Sequence, residues 1–301
     1  MRTLKVYRHG VTMATSGNHQ RRGGKRGNVT GWSPGAARRN VAFLRSIDER
    51  KLHGHGYAVT LTVRDCPLDH LTWQRMIDRW IKRQHRSGLI CLHWVMEFQA
   101  RGVPHLHVAA WYDNDEASQK ALTDWVEITE SCGSSMKGQH IRPIEGEVGW
   151  FMYLAKHCGR GRNHYQRQQD LLPEKWEKSP RVWGKAGNWP IAEVAEGTIT
   201  ERQFYKLRRL IRYQRVARAR AAVPGPGWEW IDGMLQTKQL ARSLPIAPGI
   251  YGAAKTSLRH RLKLLKHARS MLKCKDEKLS PVRGVSEWIS ESEQQDLFRA
   301  L

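Results

Sequence analysis

Residues 89–111 read LICLHWVMEFQARGVPHLHVAAW, and they predict a β-hairpin. Leu89 to Gln99 and His105 to Trp111 are apolar and rich in β-branched and aromatic residues, and Arg101-Gly102-Val103-Pro104 between them is a turn. Side chains at positions i and i+2 of a strand share a face. His105 and His107 therefore project together, while Leu106 turns to the core. Glu97, eight residues before His105 on the adjoining strand, can sit opposite it. Two imidazoles and one carboxylate leave open positions on a divalent ion, as metal-assisted catalysis requires. The same spacing is also compatible with two structural histidines.

Outward from the hairpin, the pattern alternates. Tyr57 to Val63 reads as a strand, and Leu68 to Ser87 places Leu68, Leu71, Met76, Ile77, Trp80 and Ile81 near a helical stripe. Glu116 to Ser131 predicts a helix with Ala121, Leu122, Trp125 and Ile128 inward, and Gln139 to Ile144 a short strand. Val148 to His157 predicts a last helix, preceded by Glu145 and Glu147 where the helix dipole favours acids. The order is β-α-β-β-α-β-α. Its first six elements match an α+β fold of the ferredoxin-like split βαβ kind, an antiparallel sheet with helices on one face.

Tyr153 and Lys156, three apart, share a face of the last helix. A tyrosine hydroxyl facing a metal-bound phosphodiester is a candidate nucleophile. The lysine could steady the phosphate or help to deprotonate the phenol. A surface tyrosine beside a solvated lysine is the plainer reading.

Taken in order, Thr60-Leu61-Thr62, Glu97 with His105-Leu106-His107, and Tyr153-x-x-Lys156 resemble the motifs of the HUH endonucleases. Within them, the chain looks like the single-tyrosine rolling-circle replication initiators of small phages and plasmids. The resemblance spans about 57–160, and the basic arm Gly31-Trp32-Ser33-Pro34-Gly35-Ala36-Ala37-Arg38-Arg39 adds a less specific likeness to filamentous-phage initiators. It implies a ferredoxin-like sheet with the histidine pair on a central strand. His105 and His107 would bind Mg²⁺ or Mn²⁺, with Glu97 completing the protein ligands. Tyr153 would attack one phosphodiester of single-stranded or extruded DNA, leaving a 5′-phosphotyrosyl link and a free 3′-OH for rolling-circle synthesis. Lys156 would assist, and attack by an incoming 3′-OH would rejoin strands. The next tyrosine, Tyr165, is twelve residues on, beyond Gly159 and Gly161, which points to a single nucleophile. Some relatives carry a helicase domain; here Gly249 to Thr256 (GIYGAAKT) only approaches a phosphate-binding loop, with Ala254 where glycine is expected. A host helicase and polymerase are therefore the implied partners.

Charge divides the chain. It has 301 residues with 51 Lys+Arg and 28 Asp+Glu, a formal net charge of +23, and a pI near 10.3. Residues 1–50 carry +9, residues 51–165 only +2, and residues 166–301 carry +12. Such an excess asks for a polyanion, and nucleic acid is the usual one. The balanced middle is unlike a uniformly basic packaging protein. We divide the chain into a basic arm with a short helix (1–50), a nicking–joining domain (51–190) and a basic helical DNA-binding region (191–301). The arm's helix covers roughly 34–47, with Ser33 as N-cap and Pro34 at its first position. In the last region, 201–221 and 255–275 each hold eight Lys/Arg and no acid after Glu201, separated by Pro224-Gly225-Pro226-Gly227. Single-stranded DNA and origin duplex are the expected partners.

No run of about 18 apolar residues occurs, and Met1-Arg2-Thr3-Leu4-Lys5 opens no signal-peptide stretch, so neither a membrane partner nor export is expected. Five scattered cysteines without a CxxC pair fit a bacterial host's reducing cytoplasm. Two other enzyme classes fit the motifs, a single-tyrosine transposase and a mobilisation relaxase. A non-catalytic binder of single-stranded nucleic acid is the alternative outside enzymes, but it should present aromatics on the sheet, where His105 and His107 stand instead. Of the remaining residues, His93 reads as core or edge and Asp65 as a turn. Val182 to Pro190 reads as a base-stacking segment or a packed loop.

Overall fold

The computed structural model describes residues 2–15, 31–99, 101–155, 172–221 and 285–299. In chain order the elements are β1 (Arg2–Tyr7), β2 (Gly10–Thr15), α1 (Pro34–Ser46), β3 (His55–Thr62), α2 (His70–Arg86), β4 (Leu89–Phe98) and β5 (Pro104–Tyr112). Then follow α3 (Asp115–Ile128), β6 (His140–Pro143), α4 (Glu147–Leu154), β7 (Trp183–Gly187), β8 (Ala195–Ile199), α5 (Glu201–Ala221), β9 (Val285–Trp288) and α6 (Glu291–Arg299). They form two compact units, one of Gly23–Ile191 and one of Met1–Arg22 with Ala192–Leu301.

In the central unit the sheet runs β6-β3-β5-β4-β7, each neighbouring pair antiparallel. Apart from β7, the order is compatible with the split βαβ arrangement, because each crossover leaves room for one strand between its ends. The helices begin where local chemistry satisfies their first N–H groups. Asp69 accepts from Thr72 N at 2.7 Å, Asn114 from Ala117 N at 2.8 Å, and Ser33 from Ala36 N at 3.1 Å.

α2 and α3 cover one face of this sheet. Trp73 Nε1 meets Met96 Sδ at 3.2 Å, Trp80 Nε1 donates to Ala121 O at 2.8 Å, and Tyr112 OH donates to Gln84 Oε1 at 2.8 Å. Trp125 stands edge-on to both Trp73 and Trp80, at 5.5 and 6.2 Å between ring centres, an arrangement aromatic quadrupoles favour. α1 and α4 cover the other face: Phe43 stacks on His93 and Trp183, and Phe151 lies against Trp111. β4 and β5 are thus buried on both sides, which is why their sequences are nearly continuous in apolar residues.

The 182–190 segment forms β7, an edge strand beside β4, and Trp189 Nε1 donates to Leu92 O at 3.1 Å. It closes the sheet. Gly187 has φ +75°, and a Cβ there would stand 2.1 Å from Ile90 O, so this turn admits only glycine.

In the second unit the sheet runs β8-β1-β2-β9, all antiparallel. Leu4, Val11 and Met13 join Phe204, Leu207 and Ile211 of α5, with Ile289 and Leu297, in one core. The first fifty residues are therefore shared out: β1 and β2 pair with β8 and β9, while α1 belongs to the central unit. No described helix is long and apolar enough to cross a membrane.

Candidate active site

The hairpin turn sets the site's register. Gly102, at φ +79°, donates to Gln99 O at 2.8 Å, and Gln99 N donates to Val103 O at 2.9 Å. With the turn closed this way, Glu97 falls opposite His105 across β4 and β5, and Thr62 of β3 falls opposite His105 on its other side. One row along the same face, His107 lies between Val95 and Thr60.

Three side chains converge on this face. His105 Nε2 and His107 Nε2 are 3.0 Å apart, and Glu97 Oε2 is 3.8 Å from the first and 3.7 Å from the second. One ligating atom from each lies within 4.8 Å of the others, a grouping that can hold a metal ion. Glu97 is only 1 % exposed. A carboxylate so deep is costly unless a charge or strong donors compensate it. Thr60 Oγ1 lies 3.2 Å from His107 Nδ1. A hydroxyl accepting from Nδ1–H leaves the Nε2 lone pair aimed at the cluster, the usual way a ligating imidazole is oriented.

Helix α4 brings a fourth group. Its buried side, Phe151 and Leu154, seats it on the sheet, and Asn40 Nδ2 of α1 donates to Leu154 O at 3.0 Å. Tyr153 then projects toward β5, with its hydroxyl 3.1 Å from His107 Nε2 and its ring edge-on to that imidazole. Glu97, His105, His107 and Tyr153 are thus together, from four positions spread over 57 residues. Lys156 lies outside the described residues, as do His157, Tyr165, the GIYGAAKT stretch and the basic segment 255–275.

Two further residues at this site lie outside the expected set. Trp150 stacks on Tyr153 with ring centres 4.7 Å apart, and Asn40 joins α1 to α4. Trp150 stands one turn before Tyr153, and Asn40 is a polar residue on the apolar stripe of Ala37, Val41 and Leu44; both facts are visible in the sequence. Asp65 is paired with Arg64 at 2.9 Å, and its N–H donates to Cys132 O, so it behaves as a turn residue.

His93, fully buried on the same face, bonds to Asn40 Oδ1 at 2.7 Å. Because the Asn40 amide nitrogen is spent on Leu154 O, its oxygen is the acceptor, and His93 carries its proton on Nε2. Burial, and then the nearby Lys185 charge, push the pKa of this imidazole down to about 3. The unfolded chain takes up a proton near pH 6.5 while the folded chain does not, so stability falls as pH drops through the window from 6.5 toward 3. Compared with His93→Gln, wild type should lose about 1.4 kcal/mol of unfolding free energy per pH unit below about pH 6, read from urea titrations at several pH values. A constant difference between the two proteins across that range would show that His93 is not buried neutral.

A family model for replication-associated proteins of the ORF2 type matches residues 56–162. The chain is 44 % identical over 229 residues to the replication-associated protein of Pseudomonas phage Pf3, an overlap covering 74 % of this chain and 82 % of that protein. It is 47 % identical over 233 residues to "Putative replication protein PDa0002" of Xylella fastidiosa strain Temecula1, covering 74 % of this chain and 88 % of that protein. A third relative, "Putative replication protein XF_b0001" of Xylella fastidiosa strain 9a5c, is 43 % identical over 233 residues, covering 74 % and 82 %. No solved structure gives a significant match.

Proposed function

Because this chain belongs to the ORF2-type family of replication-associated proteins, we propose that it starts DNA replication by nicking one strand at an origin through attack by Tyr153. One observation carries the reading: the Tyr153 hydroxyl stands 3.1 Å from His107 Nε2, at the rim of the Glu97–His105–His107 cluster.

The cluster fits a divalent cation. Donors about 2.1 Å from a shared ion lie roughly 3.0–3.4 Å apart at right or tetrahedral angles. The two imidazole nitrogens are 3.0 Å apart, and the carboxylate oxygen is only slightly farther from each. Two imidazoles and one carboxylate with open positions suit Mg²⁺ or Mn²⁺, which when bound polarises a phosphodiester and neutralises charge developing on it. Thr60 orients His107, and Glu97 supplies the anionic ligand from the neighbouring strand.

Tyr153 acts as the nucleophile. Its oxygen gives up its proton and forms a bond to phosphorus as the bond from phosphorus to the 3′ oxygen breaks; the leaving oxygen takes a proton from solvent, so that a 5′-phosphotyrosyl link and a free 3′-OH remain. The 3′-OH primes synthesis by a host polymerase, with strand separation left to a host helicase. Attack by a later 3′-OH reverses the step and rejoins strands, so no external energy source is needed. Lys156, on the same motif, steadies the phosphate or takes the phenolic proton. The test is to incubate the protein with labelled circular single-stranded DNA and Mn²⁺ and look for a covalent protein–DNA species; none at any DNA concentration would refute the reading.

DNA is held partly by the second unit. Phe204, Leu207 and Ile211 bury one side of α5, and Arg202, Lys206 and Arg209 stand exposed on another, followed at the same spacing by Tyr213, 64 % exposed. Replacing the three cations with alanine should weaken duplex binding across all sequences and lower the log–log salt slope by about 3, since each phosphate contact contributes about 0.9. Fluorescence anisotropy between low and moderate salt measures this, and an unchanged slope would remove α5 from the DNA contact.

A further inference from the structure

We propose that Trp150 is a positioning residue for Tyr153, an inference that rests on the nucleophile reading above. Three contacts converge on its indole. The ring stacks on the Tyr153 phenol with centres 4.7 Å apart and planes 16° from parallel. Its Nε1–H donates to Val108 O at 3.3 Å, the carbonyl of the residue following His107. The Arg142 guanidinium of edge strand β6 lies over the same ring, 5.7 Å from its centre.

A tyrosine near the end of a two-turn helix has freedom at χ1 and χ2, and helix geometry alone does not fix where its oxygen points. Trp150 removes that freedom. The indole is itself tied to β5, the strand that carries His105 and His107, so phenol and metal ligands share one reference frame. Movement of α4 along the sheet would then carry the phenol out of line only if the indole–carbonyl bond broke first. The stack also leaves the phenolic oxygen clear, because the contact is made through ring faces while the hydroxyl faces His107. Loss of such alignment costs rate without costing substrate affinity, since the misplaced group touches the substrate only as the reaction occurs.

Trp150→Ala and Trp150→Phe in the full chain test this. At saturating labelled circular single-stranded DNA with Mn²⁺, Trp150→Ala should form the covalent adduct about 100-fold more slowly than wild type, with KM close to wild type and a thermal midpoint lowered by the loss of the indole's contacts but still above the assay temperature. Trp150→Phe, which still stacks but cannot donate to Val108 O, should recover part of the rate and remain slower than wild type. With 3-fluorotyrosine installed at position 153 and no DNA present, the ¹⁹F resonance should move toward that of an unstacked tyrosine in Trp150→Ala and stay near wild type in Trp150→Phe. A Trp150→Ala protein that reacts at the wild-type rate, or one whose loss appears equally in KM and is not rescued in part by phenylalanine, overturns the inference. Wild-type protein that forms no adduct through Tyr153 overturns the nucleophile reading and this inference together; an adduct-forming wild type matched by Trp150→Ala overturns this inference alone.

Discussion

Tyr153→Phe should form no covalent protein–DNA adduct and should nick origin DNA at least about 10⁴-fold more slowly than wild type, while binding the same DNA as tightly. The substitution removes one oxygen and nothing else. The phenyl ring keeps its stack on Trp150, and α4 stays seated through Phe151 and Leu154, while the contact between the hydroxyl and His107 Nε2 is lost. That contact is worth about 1 kcal/mol, too little to unfold the domain. A nucleophile cannot be replaced by proximity, since the bond to phosphorus must form from some atom. Denaturing gels of protein mixed with end-labelled DNA read the adduct directly, and equilibrium anisotropy reads the affinity. A variant that still becomes covalently linked would move the nucleophile elsewhere. One that loses binding and nicking together would make Tyr153 a DNA contact and not the attacking group.

The central part of this fold was legible because its information is local. The β4–β5 hairpin shows itself in two apolar runs around Gly102 and Pro104, and the register that sets Glu97 against His105 follows from the length of that turn. α1 announces its start with Ser33, which caps its first turn; α2 and α3, expected from Leu68 and Glu116, start at His70 and Asp115 behind the caps Asp69 and Asn114. The helix expected over 148–157 carries Tyr153 as α4, which spans Glu147–Leu154 among the described residues.

What stayed hidden depends on partners far away in the chain. β1 and β2 alternate well enough for a hairpin, but their neighbours β8 and β9 lie about 190 and 275 residues on. β7 reads WGKAG, without alternation and with two glycines, because it is an edge strand shaped by its neighbour. A Cβ on Gly184 would meet the Trp94 ring at 2.8 Å, a constraint no local rule can reveal. At the site, the metal-type ligands were readable from spacing, but the contacts that aim them were not. Thr60 stands in the Thr60-Leu61-Thr62 motif, and Asn40 and Trp150 occupy telling helix positions, yet their partners appear only when the sheet and helices are packed.

Glu97→Gln should abolish Mn²⁺-dependent nicking without destabilising the protein. Glutamine matches glutamate in shape, so the packing of β4 against β5 is kept, and a buried negative charge is removed. Exchanging a buried ion for a neutral group of equal volume is often neutral or stabilising, whereas losing a metal ligand is not compensated by shape. The two effects therefore have opposite signs in one variant, and this separates a metal site from a structural cluster. If Glu97, His105 and His107 hold the ion, wild type should gain about 2.7 kcal/mol of stability at a Mn²⁺ concentration 100 times Kd, and Glu97→Gln at that concentration should gain far less. His105→Ala should behave alike in both measurements, although the cavity it leaves would lower its own baseline. Thermal melts with and without Mn²⁺ read the first effect, and the nicking assay the second. Equal stabilisation of wild type and Glu97→Gln by Mn²⁺ would place the ion elsewhere. Full nicking by Glu97→Gln would instead leave the two imidazoles as sufficient protein ligands, with the carboxylate of β4 serving the fold and not the reaction.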